Sequence, residues 1–230
     1  MHNAAPAAIA TWFQDEAEEE GMIEDHGYLW RHMAAAAPAQ DFSDFQILDY
    51  GCNRGGFLAG LYGDHPFRRG IGVDVAEYSL ALARQRHAAL PLEFMTPEQA
   101  ASLDDSCIDR AFSHEVLYLL PDLDAHAAAI ARWLKPGAAY YAAIGCHTGN
   151  PLWPRWRGLI AGSSNLPLFD YSLDDYARAF WKAGLGVTMR PFGLQDFILI
   201  KPGNPYFPSA ADSIHYHTQV KTLICARKAA

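Results

Sequence analysis

The stretch QILDYGCNRGGFLAGLY, residues 46–62, decides how the rest of this chain is interpreted. A short apolar run ends at Asp49, and Gly51, Gly55 and Gly56 follow within a few residues. Apolar residues then recur at helical spacing, so the pattern predicts a buried strand, a glycine-rich turn and a helix. Because glycine has no Cβ, the backbone can turn sharply there and approach a ligand closely. The helix N-terminus beyond it offers unpaired N–H groups to polar ligand atoms.

A second signal lies about 20 residues further on, where α/β units place an acid that binds a ribose. Residues 69–75 read RGIGVDV, which predicts a short second strand ending at Asp74, with Val75 beside it. A carboxylate at this position can accept hydrogen bonds from both hydroxyls of a ribose. The two signals together therefore predict a site for a ligand that contains a nucleoside.

These motifs resemble those of the class I S-adenosylmethionine-dependent methyltransferases. The matching stretches are DYGCNRG at 49–55, GIGVD at 70–74, IDRAFSHEVLY at 108–118 and LKPG at 134–137. The resemblance covers residues 45–144. It implies S-adenosyl-L-methionine as the cofactor and a Rossmann-like, doubly wound sheet of seven strands with helices on both faces, the last two strands forming an antiparallel edge.

Dehydrogenases share this architecture, but their turn reads G-x-G-x-x-G, and its middle glycine makes room for a pyrophosphate. Here Asn53 takes that place. Asparagine tolerates left-handed backbone angles, so the turn can form, but its side chain would crowd a pyrophosphate. The sulfonium cofactor has no pyrophosphate, and the residues therefore favour the methyltransferase interpretation.

Composition limits the range of partners. The chain has 230 residues, half of them hydrophobic, and a formal net charge of −8, which suits one domain with a full core. Without a basic patch, nucleic acid is an unfavourable partner. The sequence has no signal-peptide pattern and no membrane-length apolar stretch. The four cysteines are dispersed, which predicts reduced thiols in a cytoplasmic monomer or homodimer without a metal site.

By resemblance, the turn, the strand ends and the loop after the third strand should hold the cofactor. Asp49 is expected to fix the turn or a cofactor water, and Arg54 is a candidate partner for the cofactor carboxylate. Thr96 or Glu98 could accept a hydrogen bond from the adenine amine, although Thr96 also fits the N-cap of a short helix. The predicted cofactor-binding residues are Asp49, Gly51, Asn53, Gly55, Asp74, Val75, Thr96, Glu98, Ser113 and His114.

Three residues are candidates for catalysis: His114, His147 and Tyr28. His114 follows the fourth strand, titrates near neutrality and could act as a base, although a histidine there can equally be a packed core residue. His147 lies after the fifth strand among aromatic residues, which could line a substrate pocket or form a tryptophan core. Tyr28 belongs to an aromatic segment, residues 23–33, that could be a lid over the cofactor or a helix packed on the sheet.

The predicted organisation is an N-terminal helical lid at 1–41 and a catalytic domain at 42–230. Residues 15–20 are polar on every side and predict a solvated face. Inserts at 146–171 and 193–219 are expected to form a cap, the second arching over the site as a long loop. His215 and His217 in that loop lack a third ligand, so we assign no metal.

The expected reaction is methyl transfer to a small molecule of the secondary-metabolite type, and no motif reveals which one. An alternative is a cyclase in which the α-amine of the cofactor attacks its own carbon beside sulfur, as in azetidine-2-carboxylate synthases. A third interpretation is a non-catalytic protein that binds the cofactor. The intact glycine turn and Asp74 argue against this third interpretation.

Overall fold

The computed structural model describes residues 9–37 and 41–230. Seven strands and eight α-helices are assigned within these ranges. The strands are β1 (Gln46–Tyr50), β2 (Arg69–Val73), β3 (Leu92–Met95), β4 (Ile108–His114), β5 (Leu134–Ile144), β6 (Gly186–Pro191) and β7 (Thr222–Arg227). The helices are α1 (Glu16–Ala35), α2 (Gly56–Asp64), α3 (Glu77–Arg86), α4 (Pro97–Ala100), α5 (Leu123–Trp133), α6 (Trp153–Ser163), α7 (Leu173–Lys182) and α8 (Ala210–His215).

All seven strands form one sheet in the order β3-β2-β1-β4-β5-β7-β6. The first five strands pair in parallel, and β7 lies antiparallel between β5 and β6. The predicted seven-stranded, doubly wound sheet is therefore confirmed. Because β1 lies between β2 and β4, the order of the strands reverses direction at β1. Sheets of this kind bind ligands in the crevice that this reversal leaves at the carboxyl ends of the strands.

Alternate strand residues point to opposite faces, and each face carries its own core. Along β1, Leu48 packs on the face covered by α5, α6 and α7, whereas Ile47 packs on the face covered by α1, α2 and α3. The strand spacing of two residues accounts for this division. No helix within the described ranges is long and apolar enough to span a bilayer.

One predicted boundary is wrong. In the sequence, the Lys-Pro-Gly stretch at 135–137 predicts the end of an amphipathic helix over 122–134 and a fifth strand that starts at 138. Instead α5 ends at Trp133, and β5 begins at once with Leu134, which is buried and pairs with Ile108 of β4. Gly137 then adopts φ +76°, and the register with β4 shifts. The glycine thus bends a strand, and burial of Leu134 determines where the helix ends.

The N-terminal region also differs from expectation. Residues 16–35 form one helix, α1, so most of the polar stretch and the whole aromatic segment belong to a single element. Glu20, expected on a solvated face, forms ion pairs with Arg54 and Arg86. Glu20 is held there because the Arg54 side chain is almost fully buried and its positive charge needs a nearby negative charge. Residues 1–8 and 38–40 of the predicted lid lie outside the described residues.

The late insert is partly helical. Residues 193–219 contain α8 and most of a short π-helix, Tyr216–Val220. Its aromatic residues pack on α6, with the Tyr216 ring 4.7 Å and the Phe207 ring 5.4 Å from the Trp156 ring. The two inserts therefore form one shared apolar layer beside the sheet. At the start of α7, the spacing of Ser172 and Asp175 predicts a capping box, and the structure confirms it.

Candidate functional site

A cavity of about 420 Å³ opens at the carboxyl ends of β1, β2 and β4. Its walls come from the glycine turn, the end of β2, the end of β4, helix α1 and residues near 166. The predicted site residues that line it are Asp49, Gly51, Asn53, Asp74, Val75 and His114. The parallel strands thus bring together side chains that are up to 65 positions apart in sequence, 49 to 114.

The turn after β1 needs its glycines. The N–H groups of Gly51 and Cys52 both donate to the carbonyl of Val73, at 2.7 and 3.1 Å, which fixes the turn to the end of β2. Gly51 has φ +81°, and a Cβ there would collide with Val116. Gly55 has φ +78°, and its Cβ would lie 2.7 Å from the Phe94 ring. Side chains at either position would therefore open the turn.

Asp74 has a fixed carboxylate at the cavity wall. Its Oδ2 accepts from the N–H of Asn53 at 2.8 Å, and its Oδ1 accepts from the N–H of Ala76 at 2.9 Å. Asn53 adopts φ +46°, the left-handed angle expected of it, and this conformation turns its N–H toward Asp74. Each carboxylate oxygen has more than one lone pair, so both can accept a further bond from a ligand hydroxyl.

Asp49 is a buried carboxyl in the cavity wall. Burial, together with the nearby charge of Asp74, raises the pKa of Asp49 to about 8. At neutral pH the carboxyl is therefore mostly protonated and can donate a hydrogen bond to the turn or to a ligand.

We expect Asp49→Asn to change the pH dependence of stability. In the wild type the folded-state pKa of Asp49 lies above the unfolded value, so its contribution is fully present near pH 4 and is lost as the pH rises toward 8. The asparagine does not ionise. The variant should therefore gain at least about 2 kcal/mol relative to wild type between pH 4 and 8. Urea unfolding across this range measures the effect, and parallel curves for the two proteins would contradict it.

His114 ends β4 and faces α1. Its ring lies 4.9 Å from the ring of His26, and both line the cavity. Burial, followed by the charges of Lys221, His26 and His217, holds the pKa of His114 well below its usual range. Its Nε2 atom is buried and has no hydrogen-bond partner among the described residues. A neutral imidazole with an unsatisfied nitrogen at a cavity wall can accept a proton or a hydrogen bond from a ligand.

Glu115 follows β4, lines the cavity and lies in a cluster of buried polar groups. Its carboxylate accepts from the Gly145 N–H at 3.0 Å, from the Tyr216 hydroxyl at 3.0 Å and from the Lys221 ammonium. Burial would raise the pKa of Glu115, but Lys221 and these hydrogen bonds outweigh it and lower the pKa. Lys221 is itself almost completely buried, with 2% of its side chain exposed. The cluster therefore holds an ionised carboxylate at the cavity wall.

Other predicted site residues lie outside this cavity. Thr96 caps α4 in a box with Gln99, so its N-cap role is present, and Glu98 in the first turn of α4 is exposed. The Ser113 hydroxyl lies 2.5 Å from the Tyr140 hydroxyl in the core, and Gly55 faces Phe94.

The remaining two catalytic candidates are also outside the cavity. The Tyr28 hydroxyl lies 3.5 Å from Nε2 of His217, and Nε2 of His147 lies 3.3 Å from the carbonyl of Val220. Of the three catalytic candidates, only His114 lines the cavity.

The aromatic insert after β5 mainly forms core. Trp153 and Trp156 are buried, and their indole N–H groups donate to Asp170 and to the carbonyl of Tyr206. The insert reaches the cavity through Leu166 and Pro167 instead. Residues 193–219 contribute no side chain to the cavity as the described residues delimit it.

A family model described as a methyltransferase domain matches residues 48–142. This range begins in β1 and ends in β5, so it contains the glycine turn, Asp74 and His114. No curated protein matches the chain.

Solved structures share the fold at low sequence identity. A chain from a complex containing the Haloferax volcanii Trm112 methyltransferase activator has a TM-score of 0.76 and 24% identity, over 93% of this chain and 94% of that one. Geranyl diphosphate C-methyltransferase from Streptomyces coelicolor A3(2) has a TM-score of 0.63 and 17% identity, over 91% and 76%. Phosphoethanolamine N-methyltransferase 2 from Haemonchus contortus, with S-adenosyl-L-methionine, has a TM-score of 0.67 and 15% identity, over 94% and 59%.

The observed residues fit the cofactor of these enzymes. A glycine-rich turn and a fixed carboxylate after β2 suit an adenosine, and the cavity is large enough for a small molecule. Residues 48–142 therefore form a methyltransferase domain, and the whole chain has the fold that S-adenosylmethionine-dependent methyltransferases share.

Proposed function

We propose that this enzyme methylates a small-molecule acceptor inside the cavity described above. The observation that carries the proposal is the size and lining of this cavity. The cavity measures about 420 Å³, near the lower end of the range for small-molecule pockets, and α1 closes one side of it through His26 and Trp30. A macromolecular acceptor would need an open surface, and the net charge of −8 disfavours nucleic acid.

In this proposal α1 is the lid, residues 42–230 are the catalytic domain, and the two inserts support the walls. The bound cofactor supplies an electrophilic methyl group on a sulfonium, whose sulfur is the leaving group. Asp74 and the glycine turn hold the nucleoside, and α1 excludes water. His114 accepts a hydrogen bond or a proton from the acceptor nucleophile, since burial keeps its imidazole neutral. The protein thus contributes mainly alignment and removal of a proton.

Tyr28 and His147 occupy supporting positions in this scheme. Tyr28 lies on α1 beside His217, and His147 lies against the π-helix through Val220. From these positions they would act by holding the lid and the insert in place rather than by touching the acceptor. Thr96 and Glu98 would border the adenine from α4, whose first residue, Pro97, lines the cavity.

A second candidate reaction is cyclisation of S-adenosylmethionine itself. In that case the α-amine attacks the carbon beside sulfur, the carbon–sulfur bond breaks, and its electron pair leaves with methylthioadenosine. The amine loses one proton. The same cavity suits this candidate as well, because the reaction needs no molecule besides S-adenosylmethionine. Glu115 and His114 line the same cavity and could orient and deprotonate an amine.

Product analysis separates the two reactions. We expect purified enzyme with S-adenosylmethionine to form S-adenosylhomocysteine only when an acceptor from a panel of small amines, phenols and carboxylates is added. Quantitative mass spectrometry of both nucleoside products measures this. Methylthioadenosine released without any acceptor, together with a cyclic amino acid, would replace methyl transfer by cyclisation. Asp74→Ala should abolish either product, which excludes a contaminating activity.

A further inference from the structure

Residues 9–14, here called the strap, run along the wall of the cavity, which Ile9 and Trp12 line. On one side the strap pairs with the start of α3, where the N–H groups of Glu77 and Tyr78 donate to the carbonyls of Ile9 and Ala10 at 2.9 and 3.0 Å. On the other side the N–H of Asn165 donates to the carbonyl of Trp12 at 2.9 Å. The strap is therefore anchored by backbone hydrogen bonds at both edges of the cavity.

Trp12 is carried by the strap onto the cavity wall. Its side chain lines the same space as Asp74 and Val75, and its ring packs edge-on against Phe13, which is buried. The indole Nε1 is also buried and has no hydrogen-bond partner among the described residues. An indole N–H is a donor only, and burying a donor without an acceptor is unfavourable. The position is consistent with a donor whose acceptor belongs to a bound ligand.

We propose that Trp12 is a cofactor-binding residue whose indole N–H donates a hydrogen bond to a ribose hydroxyl oxygen of S-adenosylmethionine. The strap pairs with residues 76–78, directly after Asp74, so Trp12 reaches the cavity from the ribose side. A ribose hydroxyl that donates to Asp74 keeps two lone pairs, and the indole can donate to one of them. The two residues would hold the ribose from opposite sides, one as acceptor and one as donor.

This assignment has consequences for selectivity. A donor on the strap distinguishes an adenosine with free hydroxyls from a deoxynucleoside, because the deoxy compound leaves a buried donor or acceptor unpaired. Ile9 and Trp12 of the strap line the cavity, so the strap also forms part of the wall around the bound nucleoside. Neither property follows from the glycine turn or from the acid after β2.

The test compares Trp12→Phe with Trp181→Phe, a matched change at an indole that is 75% exposed on α7. Calorimetry with S-adenosylhomocysteine and with methylthioadenosine should show about three- to tenfold weaker binding of both ligands to the Trp12 variant, as expected for one lost hydrogen bond. The Trp181 variant should bind like wild type. In ¹⁵N-labelled wild type, the Trp12 indole resonance, identified by its loss in Trp12→Phe, should move when S-adenosylhomocysteine binds.

Structural damage to the strap is controlled separately. Asn165→Ala removes the side-chain bonds to the carbonyls of Thr11 and Phe13 but keeps the indole. Hydrogen exchange of residues 9–14 should rise in Asn165→Ala and stay at the wild-type level in Trp12→Phe. Unchanged affinity of Trp12→Phe for both ligands, or a fixed indole resonance, would overturn the proposal. Weakening of S-adenosylhomocysteine alone would overturn the ribose assignment, because methylthioadenosine has the same ribose.

Discussion

Asp74→Ala should weaken binding of S-adenosylhomocysteine by about 100-fold or more. The carboxylate is held by the N–H groups of Asn53 and Ala76, so it does not need to reorganise when a ribose binds. Hydrogen bonds to a charged group contribute about 1.5–3 kcal/mol each, and a ribose can make two of them. Isothermal titration calorimetry measures the dissociation constant. Binding within threefold of wild type would contradict the role of Asp74.

The control must separate loss of the ribose contact from damage to the turn. Asp74→Asn keeps the shape and one acceptor oxygen, so we expect an intermediate affinity. Asp175→Ala removes a carboxylate that also bonds to backbone, in the capping box of α7, but lies away from the cavity. That variant should lose stability without losing affinity. Thermal unfolding of all three variants shows whether the effect on binding exceeds the effect on folding.

Lys221→Met should destabilise the protein by about 3–5 kcal/mol, the usual cost of removing one partner of a buried ion pair. The change leaves the Glu115 carboxylate in the core without its cation. Methionine fills a similar volume, so the lost stability results from the missing positive charge and not from a cavity in the core. Urea unfolding at pH 7.5 measures it. Lys182→Met is the matched control, because its ion pair with Asp124 is exposed and its removal should change stability little.

The double variant Lys221→Met with Glu115→Gln identifies the cause. Without the carboxylate no charge remains unpaired, so much of the lost stability should return. The pH dependence gives a second signature. In the wild type the pKa of Glu115 is lowered, so its stabilisation is present above the usual carboxyl pKa and is lost in acid. In Lys221→Met burial would raise that pKa, so the deficit should shrink as the pH falls from 7.5 toward 5. A deficit independent of pH would indicate a packing defect instead.

Local signals predicted most of the fold. The turn at residues 51–56 was predictable because glycine and asparagine are the residues that accept its left-handed angles, and the structure places Gly51, Asn53 and Gly55 at positive φ. The caps of α4 and α7 follow from a hydroxyl residue and a polar partner three positions later. The boundary at 134–137 was missed because burial of Leu134 against β4 depends on tertiary structure.

The candidate site also contains residues that the sequence predicts and residues that only the tertiary structure brings together. Asp74 and His114 follow strands of one parallel sheet, so their convergence was predictable from strand order. Lys221 and Trp12 were not, because a buried lysine looks like a surface residue in sequence, and the strap reaches the cavity only through pairing with residues 76–78 and 163–165. The tryptophans after β5 suggested a pocket, but Trp153 and Trp156 fill the core. Aromatic content alone does not distinguish residues that line a pocket from residues that fill the core.

The most direct test of the central claim is a crystal structure of the full chain with S-adenosylhomocysteine. The account predicts the ligand in the cavity between the glycine turn and α1, with both ribose hydroxyls within hydrogen-bond distance of the Asp74 carboxylate. Electron density for the nucleoside at any other place, or a ribose without contact to Asp74, would contradict it.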